Sequence, residues 1–194
     1  TDKNKFFYNC HRTTFIAFKI IEVCLHLKVN TSNYSEPMKI RFITIGKTSF
    51  DFVKDACRLY FTRLKFYTKL EEFLIDDVKK AGNLSAQQLK TLEGKKILAK
   101  ISRQDFLVLL DEKGKAFNSV EFANWIEQKQ VQGISNLVFV VGGAFGFSDE
   151  VYQRANLQLQ LSKMTFSHQI IRAIFAEQLY RAFTIIKGDP YHNN

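Results

Sequence analysis

From Met38 onward, apolar positions recur in blocks whose spacing alternates between a run and a helical stripe. Lys39-Ile40-Arg41-Phe42-Ile43-Thr44-Ile45 is a β-branched run closed by Gly46, and it reads as a first strand. Phe52, Val53, Ala56, Leu59, Tyr60 and Leu64 then recur at helical spacing, and Phe66 to Ile75 reads as a second strand. Ser85-x-x-Gln88 forms a capping box that opens a helix to about Lys100. Asp105 to Asp111 is apolar without alternation, as a strand covered on both faces requires, and it empties into a polar loop from Asp111 to Lys115. Asn118 with Glu121 caps a helix carrying Phe122, Trp125 and Ile126, and Leu137 to Val141 is the next buried strand. The glycine turn Gly142-Gly143-Ala144-Phe145-Gly146 follows, then a short helix capped by Ser148 and a short alternating strand from Gln158 to Leu161. A last helix, capped by Ser167, runs from His168 to about Lys187. Ile170, Ile171, Ile174, Phe175, Leu179, Ala182, Phe183 and Ile186 are expected to bury one broad face of it. Strands alternating with helices predict an α/β domain with a mainly parallel sheet flanked by helices. Ligands of such sheets bind beyond the strand C-termini, and two of these ends carry glycine loops, 111–115 and 142–146.

Residues 1–37 do not share this pattern. They hold two of the three cysteines and two of the four histidines, and they end in the turn-rich run Asn30 to Pro37. A boundary is placed at Pro37/Met38, with 1–37 as an extension and 38–194 as the main domain. Cys10-His11 and Cys24-x-His26 offer metal-ligating atoms, but their spacing fits no zinc pattern and no metal is expected. Three cysteines without C-x-x-C spacing also argue against a disulfide framework and for a reducing cytoplasm. The longest apolar stretch, Phe15 to Leu27, is interrupted by Lys19, Glu22 and His26, so no membrane span or partnership is expected.

Charge narrows the function. The chain is formally +9, and setting aside residues 1–37, with their five basic and three acidic residues, leaves +7 for the main domain. Such a balance favours an anionic partner such as nucleic acid. The loop 142–146 invites a phosphate-cradle reading, yet Asp149 and Glu150 in the following first turn oppose an anion, and no Gly-Lys-Ser/Thr signature is present. The glycines then serve either a close backbone approach to a ligand or simply the strand-to-helix turn. The apolar last helix suits a subunit interface or burial within one subunit.

Several motifs together carry a family resemblance: Val140-Val141-Gly142-Gly143-x-x-Gly146, Ser162-Lys163-Met164-Thr165-Phe166-x-His168-Gln169, Arg172, Glu177-Gln178-x-Tyr180-Arg181-Ala182 and Tyr191-His192. In this combination the chain from Met38 onward resembles the RlmH family of SPOUT methyltransferases, which methylate N3 of a pseudouridine in large-subunit (23S) ribosomal RNA. The resemblance implies a homodimer of α/β-knot subunits, in which the C-terminal region threads through a loop. It also implies S-adenosylmethionine as methyl donor and S-adenosylhomocysteine as product. The donor would lie among Leu110, Gly142, Gly143, Leu161, Ser162, Lys163, Met164, Thr165 and Phe166. The chain departs from the family pattern at Ala144-Phe145 and at Ser167. Residues 1–37 have no counterpart in the family and are expected to be an upstream in-frame translation or a lineage-specific extension.

Methyl transfer to an imide nitrogen needs a group to take its proton or cations to stabilise the anion. The main domain holds only two histidines, His168 and His192. By resemblance, Tyr191 and His192 form the substrate-side pair near a partner subunit's donor, with His192 as base and Tyr191 against the nucleobase. His168 is expected to orient a loop. Arg172 and Arg181 stand nine residues apart on one helix, too far for one compact site within a subunit. Arg181 is assigned to RNA and catalysis, and Arg172 to the interface, with a salt bridge to Glu177 or another acid as the competing role. Lys115 is a further RNA contact. No separate RNA-binding module is visible, so the ribosomal RNA is expected to be recognised by backbone charge and by the shape of the assembled ribosome, with naked short RNA a poor substrate.

Overall fold

The computed structural model describes residues 38–78 and 81–191. All of them fall in the larger of the two units into which the chain divides, Glu36–Asn194. The expected extension 1–37, with Cys10, His11, Cys24 and His26, and the tail residue His192 lie outside the described residues.

Five strands, β1 (Lys39–Ile45), β2 (Lys69–Ile75), β3 (Phe106–Ala116), β4 (Asn136–Val141) and β5 (Leu157–Gln160), form one sheet in the order β2-β1-β4-β3-β5. Every pairing is parallel. The helices are α1 (Asp51–Leu64), α2 (Ala86–Leu98), α3 (Ser119–Val131), α4 (Asp149–Arg154) and α5 (Ile170–Lys187). A 3-10 turn at Ala81–Asn83 precedes α2. The α/β class read from the sequence is the one observed.

Alternation along the central strands sends side chains into two cores. Phe42, Val108, Leu137 and Phe139 face Phe61, Phe122, Phe175, Leu179 and Phe183 of α1, α3 and α5. Ile43, Leu107, Leu109, Val138 and Val140 face Ile97 and Val151 of α2 and α4. With both faces covered, β3 and β4 need apolar residues at successive positions, hence their unalternating runs.

Both expected capping boxes form. The Gln88 amide donates to Ser85 Oγ (3.2 Å) and the Ser85 amide to Gln88 Oε1 (2.9 Å). At α3 the Glu121 amide donates to Asn118 Oδ1 and the Asn118 amide to Glu121 Oε2, each at 2.8 Å. Ser148 occupies the N-cap position of α4, but its side chain does not cap. Its buried Oγ has no hydrogen-bond partner among the described residues and lies against α2, where a Cβ on Gly94 would come within 2.3 Å of it. Ser167 does act at the start of α5, its Oγ accepting from the Ile170 amide at 3.2 Å, although the helix begins at Ile170 and not at His168.

Three further differences matter to the site. Residues 111–115, expected as a loop, continue β3. Leu110 and Lys115 both register on Leu159, so 111–114 bulge out of the ladder between them. A Cβ on Gly114 would sit 2.5–2.6 Å from main-chain atoms of Gln158 and Leu159, so only glycine fits where the bulge returns across β5. Ile170, Ile171, Ile174 and Ile186 are only half-buried, and the buried face of α5 is carried instead by Arg172, Phe175, Ala176, Leu179, Ala182, Phe183 and Thr184.

The third difference is Arg172, which is neither at an outer surface nor paired with Glu177. It is 1% exposed. Its guanidinium donates to the carbonyls of Ile45 (2.6 Å), Gly46 (2.9 Å) and His168 (3.0 Å) and to Thr48 Oγ1 (2.8 Å). Its helical position turns it toward the end of β1, where a strand that has run out of partners presents carbonyls. Gln169 works beside it, accepting from the Ser49 amide at 2.8 Å and donating to the Lys47 carbonyl at 3.2 Å. Together the two side chains bolt the start of α5 to the segment after β1.

Candidate active site

A cleft of about 570 Å3 opens beyond the C-terminal ends of β3 and β4. Three walls enclose it: the β3 bulge at Asp111, Glu112 and Lys113, the glycine turn 142–146, and the segment 161–167 that leads to α5. Its size is within the roughly 300–1,000 Å3 usual for small-molecule sites.

The glycine turn is a closed, supported device. Gly143 and Gly146 form an antiparallel bridge, the Gly146 amide donates to the Gly143 carbonyl at 3.2 Å, and Gly146 has φ +79°. That left-handed conformation favours glycine. A Cβ on Gly142 would press on the Phe147 ring at 3.1 Å, and one on Gly143 would meet the Glu93 carboxylate at 2.5 Å. The turn therefore rests on buried Phe147 and on α2. Burial first, and then Asp77, push the Glu93 carboxyl above the usual carboxylate range, against the pull of Lys96.

The bulge is fixed from both sides. Asp111 Oδ1 accepts from the Lys113 amide at 2.8 Å, and Asp111 Oδ2 accepts from the Tyr152 hydroxyl at 2.6 Å. Burial and that hydrogen bond push the Tyr152 phenol up to about 12. Glu112 then joins the bulge to the third wall. Its Oε2 accepts from the Thr165 hydroxyl at 2.9 Å, and its carbonyl accepts from Gln160 Nε2 at 2.6 Å. Within the third wall, Ser162 Oγ accepts from the Met164 amide at 2.9 Å.

Of the positions expected around a methyl donor, Leu110, Gly142, Gly143, Leu161, Ser162, Met164, Thr165 and Phe166 line this one cleft. Lys163 is exposed and does not line it. Asp111, Glu112 and Asp149 line it as well, against Lys90 and Lys113. These carboxylates suit a cationic ligand better than a phosphate. Asp111 and Glu112 read as loop residues in the sequence, and only the bulge turns them into a wall.

His168 also lines the cleft. Burial, and secondarily the Arg172 cation, hold its imidazole below the ordinary histidine value. A depressed pKa means that the unfolded chain binds the proton more readily, so stability is present above about pH 6.5 and is lost as pH falls below it. We expect the unfolding midpoint to drop as pH falls below about 6.5, and His168→Asn to flatten that part of the profile. An unchanged slope in the variant would show that His168 does not drive it.

Arg181 and Tyr191 are brought together, but elsewhere. Glu177 organises them: its Oε1 accepts from Arg181 Nε (3.0 Å) and Nη2 (2.7 Å) and from the Tyr191 hydroxyl (3.2 Å). The Arg181 guanidinium lies 4.9 Å over the Tyr191 ring. Burial, with hydrogen bonds to Tyr60 and Glu177, raises the Tyr191 phenol. Of the two arginines for which a salt bridge to Glu177 competes, the i,i+4 spacing selects Arg181. Lys115 sits outside the cleft, its ammonium 4.6 Å over the Phe117 ring. The cleft touches α5 only at Ile171, ten residues or about 15 Å of helix rise before Arg181. One chain therefore does not place Arg181 or Tyr191 at its own cleft.

Among the described residues no group of three or more His, Cys, Asp or Glu could hold a metal ion. No described helix is long and apolar enough to cross a membrane.

A family model described as "Predicted SPOUT methyltransferase" matches residues 38–192. "Ribosomal RNA large subunit methyltransferase H" of Christiangramia forsetii is 48% identical over 156 residues, covering 80% of this chain and 99% of that protein. The protein of the same name from Flavobacterium psychrophilum is 49% identical over the same length and coverage. Among solved structures, a probable methylase family protein from Haemophilus influenzae Rd KW20 aligns with a TM-score of 0.46 and 14% identity, covering 80% of this chain and 70% of that one.

Proposed function

The chain belongs to the SPOUT methyltransferase family, and from that membership we propose that it is an S-adenosylmethionine-dependent methyltransferase of large-subunit ribosomal RNA, acting on N3 of a pseudouridine. The observation that carries the reading is near-complete alignment with large-subunit ribosomal RNA methyltransferases at close to half identity. The cleft adds chemical support, since its strand-end position, size and carboxylates suit a cationic sulfonium ligand.

When bound, S-adenosylmethionine supplies an electrophilic methyl on a sulfonium sulfur and leaves as S-adenosylhomocysteine. Leu110, Gly142, Gly143 and the 161–166 segment are the residues to hold it, with Asp111, Glu112 and Asp149 balancing its charge. On the substrate side, His192 takes the N3 proton, Tyr191 contacts the nucleobase, and Arg181 offsets the charge that develops on the imide. Lys115 contacts RNA phosphate.

Because Arg181 on α5 and Tyr191 in the segment after it lie away from their own cleft, the working site is composite, with the tail of one subunit completing the cleft of another. The half-buried Ile170 and Ile174 of α5 and the exposed Phe52 (62%) and Leu59 (47%) of α1 supply apolar surface for a homodimer. A knotted C-terminal path, a catalytic domain spanning 38–194 and action in the cytoplasm, where ribosomal RNA is matured, complete the proposal.

Nucleoside mass analysis of large-subunit RNA, incubated with the protein and S-adenosylmethionine, tests the reading; absence of a methylated pseudouridine would sink it. His192→Ala is expected to lower turnover by roughly 10²-fold or more while leaving the calorimetric affinity for S-adenosylmethionine unchanged. Unaltered turnover would remove His192 from the role of base.

A further inference from the structure

The acidic interior of the cleft has an apolar mouth. Phe145 (56% exposed), Met164 (75%) and Phe166 (36%) all line the cleft, the first from the glycine turn and the other two from the opposite wall. Single exposed apolar residues are ordinary, but three large ones on two loops facing one opening make a patch. Phe145 stands at the tip of the turn between Gly143 and Gly146, and its ring stacks on no other aromatic ring among the described residues.

That tip is rigid. Its base is closed by the Gly143–Gly146 bridge and rests on the Glu93 carboxylate below Gly143. Two residues beyond Phe145, Phe147 is only 4% exposed and packs under Gly142 and against Tyr152 (ring centroids 5.8 Å). The turn therefore sends one aromatic side chain into the core as an anchor and presents the other outward. A flat ring held at the mouth of the cleft matches what the bases of single-stranded nucleic acid require, an aromatic face to stack on. The main domain's net positive charge points to the same class of ligand.

We infer that Phe145 is a substrate-positioning residue whose ring stacks on an unpaired nucleobase of the RNA at the cleft mouth, with Met164 and Phe166 as the facing apolar wall. The inference rests on the RNA methyltransferase reading above and adds a recognition element to it. Stacking is tolerant of sequence, so Phe145 contributes to holding the strand and excluding water, while selection of the target base falls to hydrogen-bonding groups.

The test uses the full chain with large-subunit RNA lacking the modification, comparing Phe145→Leu, Phe145→Tyr and Phe145→Trp. Phe145→Leu keeps an apolar side chain at an exposed site, and an unchanged thermal midpoint verifies that it folds. Its kcat/KM for RNA is expected to fall by roughly ten- to a hundredfold, with S-adenosylmethionine affinity unchanged by calorimetry and the two aromatic variants close to the parent. Full activity in Phe145→Leu overturns the inference. So does a matching loss of S-adenosylmethionine affinity, which would assign the ring to the donor's adenine, or failure of the aromatic variants to rescue. If the unsubstituted protein methylates no ribosomal RNA, the underlying reading fails first. Binding of single-stranded oligouridine then judges Phe145 alone, and equal affinity of the unsubstituted protein and Phe145→Leu overturns it.

Discussion

Arg172→Met is expected to lower the free energy of unfolding by about 3–5 kcal/mol. Methionine fills much of the same volume, so packing alone does not account for the loss. What disappears is the donor set. The guanidinium serves three main-chain carbonyls, Ile45, Gly46 and His168, and the Thr48 hydroxyl, from a position 1% exposed. Each stranded buried acceptor costs about 1–3 kcal/mol, partly relieved where water enters. Lysine is a poor replacement, because one ammonium cannot span acceptors that a planar fork reaches together. Denaturant unfolding checks this through a lower midpoint at unchanged slope. A loss below about 1 kcal/mol would mean that the β1 carbonyls find other donors. Because Arg172 and Gln169 bolt the entrance of α5 to the end of β1, the damage should extend to the 161–167 wall and weaken donor binding.

The second large effect is expected from Gly114→Ala. Adding one methyl group to an exposed polar segment is usually harmless, and from the sequence alone this position looks tolerant. In the fold its Cβ would lie 2.5 Å from the Gln158 carbonyl carbon and 2.6 Å from the Leu159 nitrogen. Those are main-chain atoms of β5, which cannot swing aside as a side chain can. The strand must move, and overpacking of this kind costs about 1–3 kcal/mol or more. The functional loss should exceed the loss in stability, because displacing 111–114 moves Asp111 and Glu112 and breaks the Glu112 link to Thr165. We expect a lowered thermal midpoint together with at least tenfold weaker S-adenosylmethionine binding by calorimetry, on the order of 1.4 kcal/mol. Parental affinity would show that the bulge does not shape the donor pocket.

These two positions also mark where reading the sequence succeeds and where it stops. β1, β3 and β4 were legible because strands buried on both faces must be apolar at successive residues, as Leu107 to Leu110 and Leu137 to Val141 are. The caps at Ser85 and Asn118 were legible because they are decided within four residues. The bulge was not, since Asp111 to Lys115 carries loop composition and becomes strand only through its partner Leu159, far away in the chain. Arg172 was misjudged for a similar reason. Its type points to surface or salt bridge, and only the position of the β1 end reveals the three acceptors, Ile45, Gly46 and Thr48, that wait for it there. Among the expected donor contacts the cleft gathers Leu110, Gly142, Gly143, Leu161, Ser162, Met164, Thr165 and Phe166, because motif residues cluster where strands end. Glu177, named only as a competing salt-bridge partner, organises Arg181 and Tyr191 together, because only the fold brings Tyr191 back to it.

The order of strands has a consequence for how the molecule avoids sticking to itself. Among the described residues the two margins of the sheet are β2 and β5. β5 offers only four residues, too short a rail for a foreign strand, and β2 carries Lys69, Glu71 and Glu72 along its length. Short or charged margins resist strand-by-strand polymerisation. Growth into fibrils through the sheet is thereby discouraged, and the surface left for orderly self-recognition is helical.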